Sequence, residues 1–408
     1  MRVYIKRALE QSVINISSSF PVVLLTGARQ VGKTTMLKKL GGEKRSYVTL
    51  DDPMVRELAV TDPALFLQRY TPPLLIDEIQ YAPQLLPYIK IMVDRERKNG
   101  QFWLTGSQVF HLMKGVSESL AGRVGIVNLL GLSRAEVMDQ SHHSGFVPQS
   151  NELKNINKLA MPLDLKTLYE EIYRGGMPAV FVDKKINLEI FFSSYVQTYL
   201  ERDIKDLTQV GDELVFFRFL TAAAARTAQE VNYASLAGDV GISEPTAKQW
   251  LSILVSSGIV YLLEPYFNNT LKRLIKRPKM YFLDTGLCAY LTKWTSAETL
   301  EVGAMSGAFF ETWVVTEIIK SYYFQGKRPP LCYYRDKDQK EIDLLIIEDN
   351  KVYPLEIKKS ANPGRETIKH FAVLARTPLE IAGGGIICLC NDLIPINEQY
   401  WFIPVKVL

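Results

Sequence analysis

The chain's 408 residues suggest two to three domains at roughly 150 residues each, and 47% hydrophobic with 23% charged residues is ordinary for soluble globular protein. A formal net charge of +4 is too small for the whole surface to attract nucleic acid, so any such contact must come from local basic patches. No apolar run approaches the roughly 18 residues of a membrane span, and the start Met1-Arg2-Val3-Tyr4-Ile5-Lys6-Arg7 lacks the apolar block of a secretory leader, so a cytoplasmic protein with no membrane partner is expected.

In chain order, an opening helix is expected over about residues 3 to 17, with Val3, Leu9, Val13 and Ile14 on one side. The apolar run Val22-Val23-Leu24-Leu25 then reads as a buried strand, followed by Gly27-Ala28-Arg29-Gln30-Val31-Gly32-Lys33-Thr34-Thr35, a glycine turn opening into a helix. A G-x-x-x-x-G-K-T loop between strand and helix wraps backbone N–H groups around phosphates; its lysine reaches the β/γ oxygens and its threonine meets Mg²⁺. The helix N-terminus adds partial positive charge. ATP with Mg²⁺ is therefore the expected ligand pair, with Gly27 to Thr35 forming its cradle.

Arg45 to Leu50 reads as a second strand, and Asp51-Asp52-Pro53 either faces a ligand at the strand end or makes an Asx-type turn. Leu74-Leu75-Ile76-Asp77-Glu78 is an apolar strand ending in two carboxylates. Buried acids are costly without a cation or hydrogen-bond partners, so Asp77 is assigned to the Mg²⁺ and Glu78 to activation of the attacking water. A fourth strand, Gln101 to Thr105, leads to Gly106-Ser107-Gln108, where Thr105 and Ser107 would report the γ-phosphate, or Ser107 would cap a helix. Arg123 follows Ser117-Glu118-Ser119-Leu120-Ala121-Gly122 and precedes a fifth strand, Val124 to Leu130.

Taken together, G-A-R-Q-V-G-K-T-T, L-D-D-P, L-L-I-D-E-I-Q, L-T-G-S and S-L-A-G-R resemble the prokaryotic AAA+-type P-loop ATPases that carry a C-terminal domain of nuclease-like fold. The resemblance implies that Arg123 acts as a finger on the γ-phosphate of a neighbouring subunit in a homo-oligomer; the other reading is a salt bridge within its own domain.

Residues 139 to about 164 are poor in apolar periodicity and read as loop or linker. Helical pattern resumes at Leu165 and is broken by Tyr173-Arg174-Gly175-Gly176-Met177-Pro178; the resemblance puts this turn in a helical lid beside the ATP site, where Arg174 either contacts phosphate or sits as a helix-terminal charge. Phe191 to Asp206 is expected as an amphipathic helix. From Leu214 to Asp284, two short helices, Tyr233 to Val240 and Glu244 to Ser257, precede strands Ile259 to Leu263 and Met280 to Leu283. This is winged helix-turn-helix organisation. In a DNA reader, Thr246, Lys248 and Gln249 would enter the major groove while Lys272, Arg273, Lys276, Arg277 and Lys279 meet phosphates; in the other reading the module only packs domains or binds protein.

The last domain opens with a helix holding Phe310, Trp313, Val314 and Glu317 at helical spacing, followed by strands at Cys332 to Arg335, Glu341 to Ile347 and Val352 to Lys358. Helix-strand-strand-strand with Asp343 on one strand and Glu356-x-Lys358 on the next resembles the PD-(D/E)xK nuclease superfamily, with Ile342 where the motif's name has proline. Alternation puts Glu356 and Lys358 on one strand face, where Glu311, Asp343 and Glu356 would hold a divalent metal and Lys358 would orient water. A lysine–carboxylate network tying strands together is the other reading. Cys288, Cys332, Cys388 and Cys390 read as small buried thiols with no zinc spacing.

The expected fold is α/β: a parallel AAA+-like P-loop NTPase sheet over residues 1–138, a linker and helical lid over 139–212, a winged-helix domain over 213–290 and a restriction-endonuclease-like α/β domain over 291–408. The expected catalytic set is Lys33, Glu78, Ser107 and Arg123. Two functional classes remain open. In one, ATP hydrolysis drives remodelling or cutting of nucleic acid; in the other, a slow ATP-dependent switch presents the C-terminal domain to a protein partner.

Overall fold

The computed structural model describes residues 4–106, 115–116, 118–140, 144–199, 213–266, 277–336, 338 and 340–408. The nucleotide-domain sheet is five parallel strands, β1 (Val22–Thr26), β2 (Ser46–Thr49), β3 (Leu74–Asp77), β4 (Phe102–Thr105) and β5 (Val124–Asn128), in the order β2-β3-β4-β1-β5. Strands buried on both faces read as unbroken apolar runs, and β1, β3 and β4 are buried throughout. Alternate residues serve opposite faces. Val23, Leu25, Leu75 and Trp103 join Met36 and Leu37 on one side, while Val22, Leu24, Ile76 and Leu104 meet Phe66, Leu85 and Ile89 on the other. Each such side chain contributes about 1.5–3 kcal/mol when fully buried.

Two expectations for this half change. The opening helix runs Glu10–Ser19, with Leu9 and Val13 buried but Ile14 exposed. The preceding residues are held otherwise: the Glu10 carboxylate accepts from Arg7 N at 2.8 Å and Tyr4 Oη at 2.6 Å, and Arg7 turns into the interior. The segment expected as a loop contains the helix Ser150–Leu159. Its apolar stripe is narrow, with Leu153 fully buried and Ile156 partly buried, so packing rather than periodicity decides it.

In the middle of the chain, helices Glu213–Ala224, Tyr233–Val240 and Glu244–Ser256 support an antiparallel sheet of β6 (Gln229–Glu230), β7 (Val260–Leu263) and β8 (Lys279–Phe282), ordered β6-β8-β7. Phe216 and Phe219 meet the Trp250 ring edge-on at 5.0 and 5.4 Å, and Ser243 caps the third helix by accepting from Thr246 N at 3.2 Å. The helix expected at 191–206 begins earlier, as Leu188–Tyr199, and residues 200–212 lie outside the described residues.

The last part places helix Ser306–Tyr323 against a mixed sheet. Strands β9 (Leu331–Arg335), β10 (Glu341–Glu348) and β11 (Lys351–Lys358) are antiparallel; β13 (Gly384–Cys388) and β15 (Tyr400–Pro404) continue in parallel from β11. Short strands β12 (Glu380–Ile381) and β14 (Ile394–Pro395) pair β11 and β15. Backbone hydrogen bonds join this sheet to the middle module: Tyr266 N donates to Tyr333 O at 2.7 Å and Tyr333 N to Glu264 O at 3.1 Å. The Ser306–Tyr323 helix is buried nearly all round, and one apolar cluster runs from Leu25 through Trp250 to Ile357. Among the described residues no helix is long and apolar enough to cross a membrane.

Candidate nucleotide site and acidic cluster

The loop after β1 folds as its glycines require. Gly27 has φ +139°, and a Cβ there would stand 2.1 Å from Leu129 O; Gly32, at φ +94°, starts the helix Lys33–Gly41. Both positions lie in backbone regions that L side chains rarely adopt. The loop curls over the helix N-terminus, and the Lys33 ammonium, on a residue only 7% exposed, donates to Gly27 O at 2.9 Å and Ala28 O at 2.8 Å.

Strand order brings the acid of β3 to this loop. Asp77 is buried, and its Oδ1 accepts from Thr34 Oγ1 at 2.7 Å and from Thr105 Oγ1, while Oδ2 accepts from Tyr47 Oη at 3.1 Å. One carboxylate thus gathers groups from β2, β4 and the P-loop helix. A threonine hydroxyl and a carboxylate oxygen so close together are oxygen donors of the kind Mg²⁺ takes. Glu78, next along, sits at φ +58°, a left-handed conformation costing of order 1 kcal/mol and frequent at functional sites. Its N–H donates to Thr105 Oγ1 at 3.1 Å and its carboxylate accepts from Gln80. Thr105 therefore braces both acids. Burial and the neighbouring Asp77 push the Tyr47 phenol up to about 12, keeping it a donor.

Arg123 lies apart from this centre, fixed to Asp94 by bonds of 2.5 and 3.0 Å with both side chains partly exposed. Ser107 lies outside the described residues. Asp52 caps the helix Pro53–Thr61 by accepting from Met54 N at 2.9 Å, the turn role of the two open to it. Arg174 donates to Val180 O at 2.8 Å, and Pro178 of the same turn stands beside Gly32.

Sequence reasoning missed Arg7. Its guanidinium is buried against Glu136 at 2.9 Å and also donates to Val31 O at 2.8 Å and Leu130 O at 2.7 Å, tying the P-loop to the exit of β5. No spacing rule marks an arginine for that task. Tyr47 was missed likewise. Beyond the loop, the three parts of the chain border an open pocket of about 440 Å³ lined by Thr26, Gly27, Asn128, Gly258, Tyr261 and Arg328 among others.

The second cluster lies at the junction of β8, β10, β11 and the Ser306–Tyr323 helix. The Asp343 carboxylate accepts from Ile357 N at 2.9 Å and Lys358 Nζ at 3.2 Å; Lys358 also pairs with Glu356 at 2.8 Å. Glu311 accepts from Tyr281 Oη at 2.7 Å. Burial, with Asp343 alongside, pushes the Glu356 carboxyl up to about 8, and burial pushes that of Glu311 up to about 7. Burial acts on Asp343 too, but Lys358 and Lys279 outweigh it and hold that carboxyl below its usual range. Glu311, Asp343, Glu356 and Lys358 are thus together, yet among the described residues no three or more His, Cys, Asp or Glu side chains are arranged to hold a metal ion.

Lys279 corrects an expectation. Placed by its sequence among basic residues facing phosphates, it is 4% exposed and points into this cluster, 2.5 Å from Glu341, 3.4 Å from Glu311 and 3.9 Å from Asp343. Strand pairing of β8 fixes the direction of its side chain, and carboxylates contributed by helix and β10 offset its desolvation. Lys248 is on the surface, paired with Glu244 at 3.0 Å, while Lys272, Arg273 and Lys276 lie outside the described residues.

The parallel sheet, glycine loop and strand-end acid define an ATPase-like AAA domain, and a family described as "AAA domain" matches residues 19–138. Two families described as domains of unknown function, DUF8612 and DUF4143, match residues 165–298 and 306–408. The uncharacterized protein Rv2008c of Mycobacterium tuberculosis is 30% identical over 386 residues, covering 94% of this chain and 80% of its own, and Mb2031c of Mycobacterium bovis gives the same figures. The chain belongs to the same family as these two proteins. Among solved structures, the Walker-type ATPase PABY2304 of Pyrococcus abyssi is 15% identical with a TM-score of 0.44, covering 69% of this chain and 94% of its own. The RuvB Holliday junction branch migration motor of Thermotoga maritima is 17% identical with a TM-score of 0.29, covering 62% and 86%.

Proposed function

We propose that this protein binds and hydrolyses ATP between the P-loop and the ends of β3 and β4, and uses the cycle to act on nucleic acid. The single observation that carries the reading is the 2.7 Å contact between Thr34 and the buried Asp77, braced by Thr105 and Tyr47. In the proposal the backbone from Gly27 to Thr35 cradles the phosphates, which replace Gly27 O and Ala28 O as partners of the Lys33 ammonium. Thr34 and Asp77 hold Mg²⁺, which when bound offsets phosphate charge. Glu78, at the mouth of the same strand, orients the attacking water and takes its proton. Ser107 adds a γ-phosphate contact, and Arg123 leaves Asp94 to reach the nucleotide of a second copy in a homo-oligomer.

The middle module's order of helices and strands supports a winged helix, with Thr246, Lys248 and Gln249 on the exposed start of its third helix as the nucleic-acid contacts. The last module's helix followed by β9, β10 and β11, carrying Asp343, Glu356 and Lys358, supports a nuclease-like fold. A second reading, a slow switch whose C-terminal module recruits a protein partner without cutting, is favoured by the Lys279 pairing, which gives Glu311, Glu341 and Asp343 a cation other than a metal. The test is ATP binding and turnover by the full chain with and without DNA. Lys33→Ala is expected to abolish binding, and Glu78→Gln to leave binding intact while lowering turnover by about 10²–10⁴-fold. Equal turnover in wild type and Glu78→Gln removes that acid from the reaction.

A further inference from the structure

The acidic cluster of the C-terminal module already has a cation. Four carboxylates, those of Glu311, Glu341, Asp343 and Glu356, converge on two ammonium groups, and only Lys358 comes from the same sheet. The other, Lys279, is delivered by β8 of the middle module, lies 2.5 Å from Glu341, and also reaches Glu311 and Asp343. Its stem is buried and its ammonium stands 5.5 Å over the Tyr333 ring. Arg335 also reaches Glu341, at 3.6 Å, while Glu356 Oε1, on a residue 3% exposed, has no hydrogen-bond partner among the described residues. The acids could therefore accept a cation, yet they are not grouped around a place for one. An ammonium on a four-carbon stem carries half the charge of a divalent ion, but like the ion it is a compact point charge that takes carboxylate oxygens as partners.

We propose that Lys279 is the resident cation of this pocket: an ammonium supplied by the neighbouring module draws Glu311, Glu341 and Asp343 around itself, in an arrangement that does not suit a metal, and the C-terminal module takes no metal while β8 is docked. This rests on the nuclease-like reading of the Asp343 and Glu356 pocket and assigns its regulation to the interface between the two modules. The backbone bonds between Tyr266 and Tyr333 and between Tyr333 and Glu264 hold that interface shut, so metal entry requires β8 to withdraw or Lys279 to be absent.

The experiment measures Mn²⁺ binding to the nucleotide-free full chain by electron paramagnetic resonance, and thermal unfolding with and without Mn²⁺. The proteins are wild type, Asp343→Asn, Lys279→Met and the double variant Lys279→Met with Asp343→Asn. Lys279→Met is expected to gain one Mn²⁺ site at least tenfold tighter than any Asp343-dependent site of the wild type, to be stabilised by Mn²⁺, and to lose both properties with Asp343→Asn. Should removal of the ammonium unfold the chain, Lys279→Met with Glu341→Gln removes the acid closest to Lys279 and keeps three carboxylates for the same measurement. Asp343-dependent Mn²⁺ binding by the wild type as tight as by Lys279→Met overturns the assignment of Lys279 and leaves the pocket a cation site. A folded Lys279→Met that gains no Mn²⁺ overturns the assignment along with the nuclease-like reading on which it rests.

Discussion

Replacing Arg7 by methionine keeps most of the buried stem and removes the charge, so it isolates what the guanidinium does for the P-loop. The Arg7 and Glu136 side chains are 4% and 0% exposed. Without Arg7, Glu136 keeps the Ala8 and Ser133 amides as donors, while Val31 O and Leu130 O lose theirs. Breaking a buried pair from one side costs about 3–5 kcal/mol, and the unmet carbonyls are part of the same loss rather than additional to it. Against a typical stability of about 5–15 kcal/mol, the variant is expected to fold, with a melting temperature lower by roughly 10 °C and weaker ATP binding because Val31 belongs to the cradle. The assay is a double-mutant cycle with Glu136→Gln, read by urea unfolding and by hydrogen exchange in the helix Lys33–Gly41. The double variant should be less destabilised than the sum of the singles by about 2 kcal/mol or more. Additivity within about 0.5 kcal/mol, or unchanged exchange in that helix, refutes the reasoning.

Arg123→Ala is expected to leave thermal stability unchanged, since its pair with Asp94 is solvent-exposed, and to abolish any rise of specific ATPase activity with protein concentration. The same concentration dependence in both proteins removes this arginine from catalysis. Burial raises the Glu171 carboxyl to about 7 despite the Arg134 beside it, above its ordinary unfolded value. The folded state therefore binds the proton more readily, and this group's contribution to stability should fall by about 3 kcal/mol as pH rises from about 4.5 through 7. Subtracting the urea-unfolding curve of Glu171→Gln should expose that slope, and a difference that rises with pH refutes it.

The glycine loop and the acid beside it were legible because their determinants are contiguous. A glycine-rich turn between an apolar strand and a helix start, and a carboxylate ending another apolar run, are set by backbone conformation and burial within a few residues. The same holds for the strands of the AAA domain, whose continuous apolar runs follow from burial on both faces. Helix ends were less legible: before Glu10 the chain is held by the Glu10 carboxylate on the Arg7 amide and by Arg7 turned inward to Glu136, and Ser150–Leu159 needs only one fully buried leucine.

What the amino-acid order fixed by itself was the glycine loop after β1 and the acid that faces it. Which groups surround that acid, and which cation the C-terminal carboxylates meet, only the tertiary structure decided. Tyr47 is 30 residues from Asp77, and Arg7 is 129 residues from Glu136. Lys279 is 32 residues from Glu311. A charge reveals its partner locally only when both lie within a helical turn or across one hairpin. At these separations strand order and desolvation choose the partner, and the same lysine that looks like a surface phosphate contact in the chain becomes a buried counter-ion in the fold.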